Sequence, residues 1–93
     1  MSIVIVGGHD RMVCRYKEIC KSYRCKAKVF TQMSGDLKKQ LGTPDVIILF
    51  TNTVSHKMVI STVSEAKKGN ITVLRSHSSS GSALTHLLEG LSV

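Results

Sequence analysis

Two short runs of this chain, Ser2 to Val6 and Val46 to Phe50, are hydrophobic and rich in β-branched side chains without polar interruption. Continuous rather than alternating hydrophobicity marks strands covered on both faces, as at the centre of a parallel sheet. Gly7 and Gly8 bound the first run, and Pro44 and Asp45 introduce the second. Cys25 to Thr31 reads differently, because Ala27 and Val29 alternate with Lys26 and Lys28 before Phe30, as an edge strand would. Ile71 to Leu74 supplies a fourth short strand.

The period changes between these runs. From Arg11 to Tyr23, Met12, Val13, Tyr16, Ile19, Cys20 and Tyr23 recur at helical spacing and leave Arg15, Lys17, Glu18, Lys21 and Ser22 outside. Ser34 to Leu41 places Leu37 and Leu41 one turn apart, with Asp36 early, Lys38 and Lys39 later and Gly42 as a stop. His56 to Lys68 turns Val59, Val63 and Ala66 inward, with Met58 and Ile60 beside them, and closes at Gly69 and Asn70. A last helix over Ser82 to Leu88 buries Ala83, Leu84, Leu87 and Leu88 and ends near Gly90.

The order is therefore βαβαβαβα, which folds most economically as an α/β protein with a four-stranded parallel sheet. Placing the two most buried runs at the centre gives the strand order 2-1-3-4. With 93 residues, 42% of them hydrophobic and 20% charged, the chain has the balance of one globular domain, 1–93. A core this small favours association, and a homodimer is an expected partner arrangement. Ile3 to Val6 is far too short for a membrane span or the apolar stretch of a signal peptide, so neither insertion nor export is expected. Cys14, Cys20 and Cys25 form an odd set with no CxxC spacing, which fits a reducing cytoplasm better than a disulfide framework.

The net charge of +7 raises the question of nucleic acid. Arg11, Arg15, Lys17, Lys21, Arg24, Lys26 and Lys28 gather around the first helix and second strand, whereas Lys38, Lys39, Lys67 and Lys68 sit at other helix ends. Two Tyr and two Phe give little for base stacking, and no nucleic-acid motif occurs. A solvated basic face is the reading preferred over a nucleic-acid surface, which stays open.

Open parallel sheets bind ligands beyond the carboxyl ends of their strands, where helix N-termini converge at a reversal of strand order. Three polar segments fall there: Gly7, Gly8, His9, Asp10 and Arg11; Asn52, Ser55 and His56 within the stretch 51–56; and Arg75, Ser76, His77, Ser78, Ser79 and Ser80. The two glycines permit a sharp turn, with Asp10 as the expected cap of the first helix, while Asn52 and Ser55 are expected caps of the third. Five serines with Arg75 and His77 at one helix start resemble a cradle of hydroxyls, amides and a cation for an anion. There is no GxGxxG, GxxxxGK[ST] or GxSxG motif, which excludes the usual dinucleotide, P-loop and serine-elbow assignments.

Two other chemistries fit the same loops. His9, His56 and His77 lie on three loops that this topology brings to one end, where imidazoles would hold a metal or ligate haem iron, although no HxxxH, HExxH or CxxCH spacing supports it. Phosphotransfer through His9 after the first strand is the other. His86, on the last helix, reads as a surface or dimer-face residue, and the cysteines as packing residues.

The segments GGHDRM, TNTVSHKM, AKK and RSHSSS closely resemble those of an uncharacterised bacterial domain-of-unknown-function family of short chains, over nearly the whole length. The resemblance implies a Rossmann-like fold, a three-layer sandwich, in a bacterial cytoplasmic protein. It points to the polar segments above without giving them roles. The expected function is thus a binding or sensing module for a small anionic ligand such as phosphate, a nucleotide or a phosphorylated metabolite, with catalysis left undecided.

Overall fold

The computed structural model describes residues 1–31 and 41–91. Its central strands are β1 (Ser2–Val6) and β3 (Val46–Phe50), whose apolar side chains from Ile3 and Val46 onward are all buried. β2 (Lys26–Phe30) flanks β1 and β4 (Thr72–Ser76) flanks β3, giving a four-stranded parallel sheet in the order β2-β1-β3-β4. In register, Ile5 lies opposite Val29 on one side and Ile48 on the other, and Ile48 opposite Leu74. The expected α/β, Rossmann-like architecture and strand order are both present.

Because neighbouring residues of a strand point to opposite faces, the sheet divides its apolar set into two cores. Ile3, Ile5, Val46, Ile48 and Phe50 meet Tyr16 and Cys20 of α1 (Val13–Ser22) and Leu84 and Leu88 of α3 (Gly81–Leu91). Val4, Val6, Ile47 and Leu49 meet Ala66 of α2 (His56–Lys68), together with Leu41. Helices thus cover both faces and make three layers. The helix expected over 34–41 lies outside the described residues, apart from Leu41.

Several boundaries differ from the expected ones, each for a local reason. α1 starts at Val13 instead of Arg11, because a 3-10 turn over Asp10–Met12 leads the chain out of the glycine turn. Asp10 is not the cap of α1: Met12 holds that position without a side-chain bond, and the Asp10 carboxylate accepts a hydrogen bond from the Thr31 hydroxyl. β4 runs on through Arg75 and Ser76, which pair with Leu49 and Phe50, so these two belong to the strand and not to the loop beyond it. α3 continues past Gly90 to Leu91, since Gly90 does not take the left-handed conformation by which glycine ends helices. α2 ends as expected, with Asn70 adopting that conformation (φ 54). No helix among the described residues is long and apolar enough to cross a membrane.

Candidate functional site

At the carboxyl end of the sheet the chain leaves β1 through Gly7 (φ 100) and Gly8 (φ 87), both left-handed. The Gly7 N–H donates to the Phe30 carbonyl at 2.8 Å and the Gly8 N–H to Thr53 Oγ1 at 2.7 Å. The Thr53 hydroxyl donates in turn to the Phe50 carbonyl at 3.1 Å. At the reversal of strand order between β1 and β3, the two glycine amides are therefore committed within the protein. A Cβ on Gly7 would lie 2.7 Å from Thr53 Oγ1, and one on Gly8 would lie 2.6 Å from the Tyr16 ring. The glycines serve this close approach of backbone to side chain.

The polar segments line separate spaces. His9, Asp10 and Arg11, all exposed, line one hollow with Met12. His56, Arg75, Ser76 and His77 line a different cleft of about 530 Å³, completed by Thr51, Val54 and Val59. His9 thus faces one space and His56 and His77 another. Among the described residues no group of three or more His, Cys, Asp or Glu side chains is placed to hold a metal ion. Of the three histidines named as candidates for a metal or haem, His56 and His77 line one cleft and His9 lines another hollow.

Within the cleft, the order of elements explains the chemistry. Thr51 follows β3 directly, its N–H donating to the Ser76 carbonyl at 2.8 Å and extending the β3–β4 ladder by one bond. Its hydroxyl donates to that same carbonyl at 3.3 Å and lies 3.4 Å from His77 Nδ1. Ser55 caps α2 by accepting the Met58 N–H at 3.2 Å, and His56 opens the helix at its positive end. Asn52, the other expected cap, is exposed in the preceding turn. Arg75 reaches the cleft from the outer strand and is exposed, and no Asp or Glu lines this space.

The serine run turns out to be largely self-bonded. Ser76 Oγ donates to the Ser78 carbonyl at 2.7 Å and accepts the Ser78 N–H at 3.2 Å. Ser78 Oγ donates to Ser80 Oγ at 3.1 Å and accepts the Ser80 N–H at 3.3 Å, and Ser80 Oγ caps α3 through the Ala83 N–H at 3.1 Å. Ser79 is buried, and its carbonyl accepts the Tyr16 hydroxyl at 2.6 Å. Much of the hydroxyl set expected to cradle an anion shapes the turn into α3. Thr51, Thr53 and Tyr16 are site-forming residues that the sequence does not single out. The signal for Thr51 is its place immediately after a fully buried strand, whereas nothing local marks Tyr16, 63 residues from Ser79.

A de novo designed Rossmann fold protein is similar in structure, with a TM-score of 0.66 at 16% sequence identity, covering 99% of this chain and 98% of that one. At that identity the likeness concerns the fold. No curated protein matches the sequence. A family described as "Uncharacterized protein conserved in bacteria (DUF2325)" matches residues 2–91. With nearly the whole chain matched, the protein belongs to this uncharacterised bacterial family.

Proposed function

We propose that the chain is a binding or sensing module for a small anionic ligand, whether phosphate, a nucleotide or a phosphorylated metabolite, held in the cleft between the ends of β3 and β4. The observation that carries this reading is the lining: Arg75, His56 and His77 lie around one cleft with Thr51 and Ser76, whose hydroxyl protons are already given to backbone carbonyls, and with no Asp or Glu among them. A guanidinium supplies paired N–H donors matched to phosphate or carboxylate oxygens. The start of α2 adds amide dipoles of the same sign. Val54 and Val59 give the cleft an apolar side against which the uncharged part of a ligand would rest. Anion capture here relies on the Arg75–His77 side and not on the Gly7–Gly8 amides, which are already bonded.

Thermal unfolding with inorganic phosphate, AMP and ATP tests it. A ligand at ten times its Kd stabilises by about 1.4 kcal/mol, roughly 6–11 °C in Tm for a chain of this size. The shift is expected to disappear in Arg75→Ala and His77→Ala and to persist in His9→Ala, whose side chain lines the other hollow. Absence of any shift with all three compounds at millimolar concentration, or a shift abolished by His9→Ala alone, overturns the reading.

A further inference from the structure

The far end of α1 carries chemistry unconnected with the cleft. Tyr23 caps the helix, and Arg24 follows in the left-handed region (φ 59). The Arg24 N–H donates to the Lys21 carbonyl and the Cys25 N–H to the Cys20 carbonyl, each at 2.9 Å. This pair of bonds defines the helix end in which the side chain three places inside the cap meets the one two places beyond it. Here both are cysteines.

The Cys25-to-Cys20 bond limits the separation of their Cα atoms to about 6.8 Å at most, inside the span that a disulfide bridges. Cys20 is fully buried in the core beneath α1, and Cys25 packs against that same cluster. Cys25 also lines a hollow of about 200 Å³ beside Met1 and Leu91 and is only partly buried, its thiol donating to the Tyr23 carbonyl at 3.3 Å, so of these two cysteines it is the one open to a reagent. Cys14, exposed near the start of the helix, lies about 9 Å along the axis from Cys20 and outside this arrangement.

We propose that Cys20 and Cys25 form a redox-modification site that closes to an intramolecular disulfide by exchange with a low-molecular-weight disulfide such as oxidised glutathione. The Cys25 thiol loses its proton and its sulfur attacks one sulfur of the reagent, forming a mixed disulfide and expelling one glutathione thiolate. The Cys20 sulfur, deprotonated in turn, attacks Cys25 Sγ and expels the second. Two protein thiols are oxidised, one glutathione disulfide is reduced to two thiols, and the two protons pass to the departing thiolates. Burial first, then the neighbouring Cys25, pushes the Cys20 thiol up to about 11, so little of it is thiolate and the first attack is left to Cys25.

The test is mass spectrometry of the full folded chain equilibrated with oxidised and reduced glutathione, followed by non-reducing digestion. In Cys14→Ser the expected product has lost two hydrogens, about 2 Da, and the Cys20–Cys25 linked peptide is expected both there and in the wild type, where the exposed Cys14 carries any glutathione adduct. Cys20→Ala is expected to stop at a stable glutathione adduct on Cys25, and Cys25→Ser to give no linked product. Circular dichroism of each variant and of the oxidised wild type identifies any that is unfolded. A persistent glutathione adduct on Cys25 of the folded wild type, linkage through Cys14 only, or closure seen only in urea overturns the proposal.

Discussion

Gly8 shows at the scale of one residue how little freedom the turn after β1 has. Its φ of 87 is unfavourable for any side chain, and a Cβ there would meet Tyr16 Cε2 at 2.6 Å and the Tyr16 hydroxyl oxygen at 2.8 Å. Gly8→Ala is expected to cost about 3 kcal/mol, combining backbone strain with overpacking against a buried ring. Gly90 is the contrasting case, inside α3 with open space within 4 Å of where a Cβ would stand. Gly90→Ala is expected to stabilise by about 0.5–1 kcal/mol, because alanine loses less conformational freedom in a helix. Urea unfolding of the two variants beside the wild type checks both signs.

At the scale of an element, α2 is legible from sequence over its full span, His56–Lys68. Apolar residues at helical spacing, Ser55 at the entry and Gly69 with Asn70 at the exit all agree, and local agreement of this kind needs no tertiary information. What the spacing does not reveal is Thr62, fully buried on the same helix, with a hydroxyl that has no hydrogen-bond partner among the described residues. An unpaired buried hydroxyl is costly, and valine replaces it with nearly the same shape. Thr62→Val is expected to raise stability by about 1 kcal/mol without altering the far-UV spectrum, and a loss of stability in the urea midpoint would show that the hydroxyl has a partner. Hydrophobicity alone ends β4 two residues short because Arg75 and Ser76 are polar. They extend the strand by pairing with Leu49 and Phe50, a partner interaction that hydrophobicity does not record.

At the scale of the whole molecule, titration couples to folding through the end of α1. Cys20 moves from its ordinary value of 9.0 to about 11 in the folded state, chiefly through burial and then through Cys25. The folded protein therefore holds this proton more tightly than the unfolded chain does, and its contribution to stability is complete below pH 9 and is lost as pH rises towards 11. Tyr23 is also raised, first by desolvation and then by the Glu89 charge and hydrogen bond, and acts in the same direction at higher pH. Reduced protein is expected to lose stability across this window, with the slope diminished in Cys20→Ala, as urea midpoints from pH 8 to 11 would record.

The sequence by itself determined the α/β class, the four strands, α2 and the central places of β1 and β3, because continuous apolar runs and helical periods are properties of neighbouring residues. It also placed polar loops at the carboxyl ends of the strands. The tertiary structure decided how those loops divide. Contacts between residues far apart in the chain, Gly8 with Thr53 and Tyr16 with Ser79, occupy the glycine amides and tie down the serine turn. Parallel pairing of β3 with β4 brings Arg75, His77 and Thr51 to the cleft that His56 enters from α2, while His9 turns to another hollow. Such partnerships depend on strand register and on the space left between packed layers, and neither is written in the order of residues along any one segment.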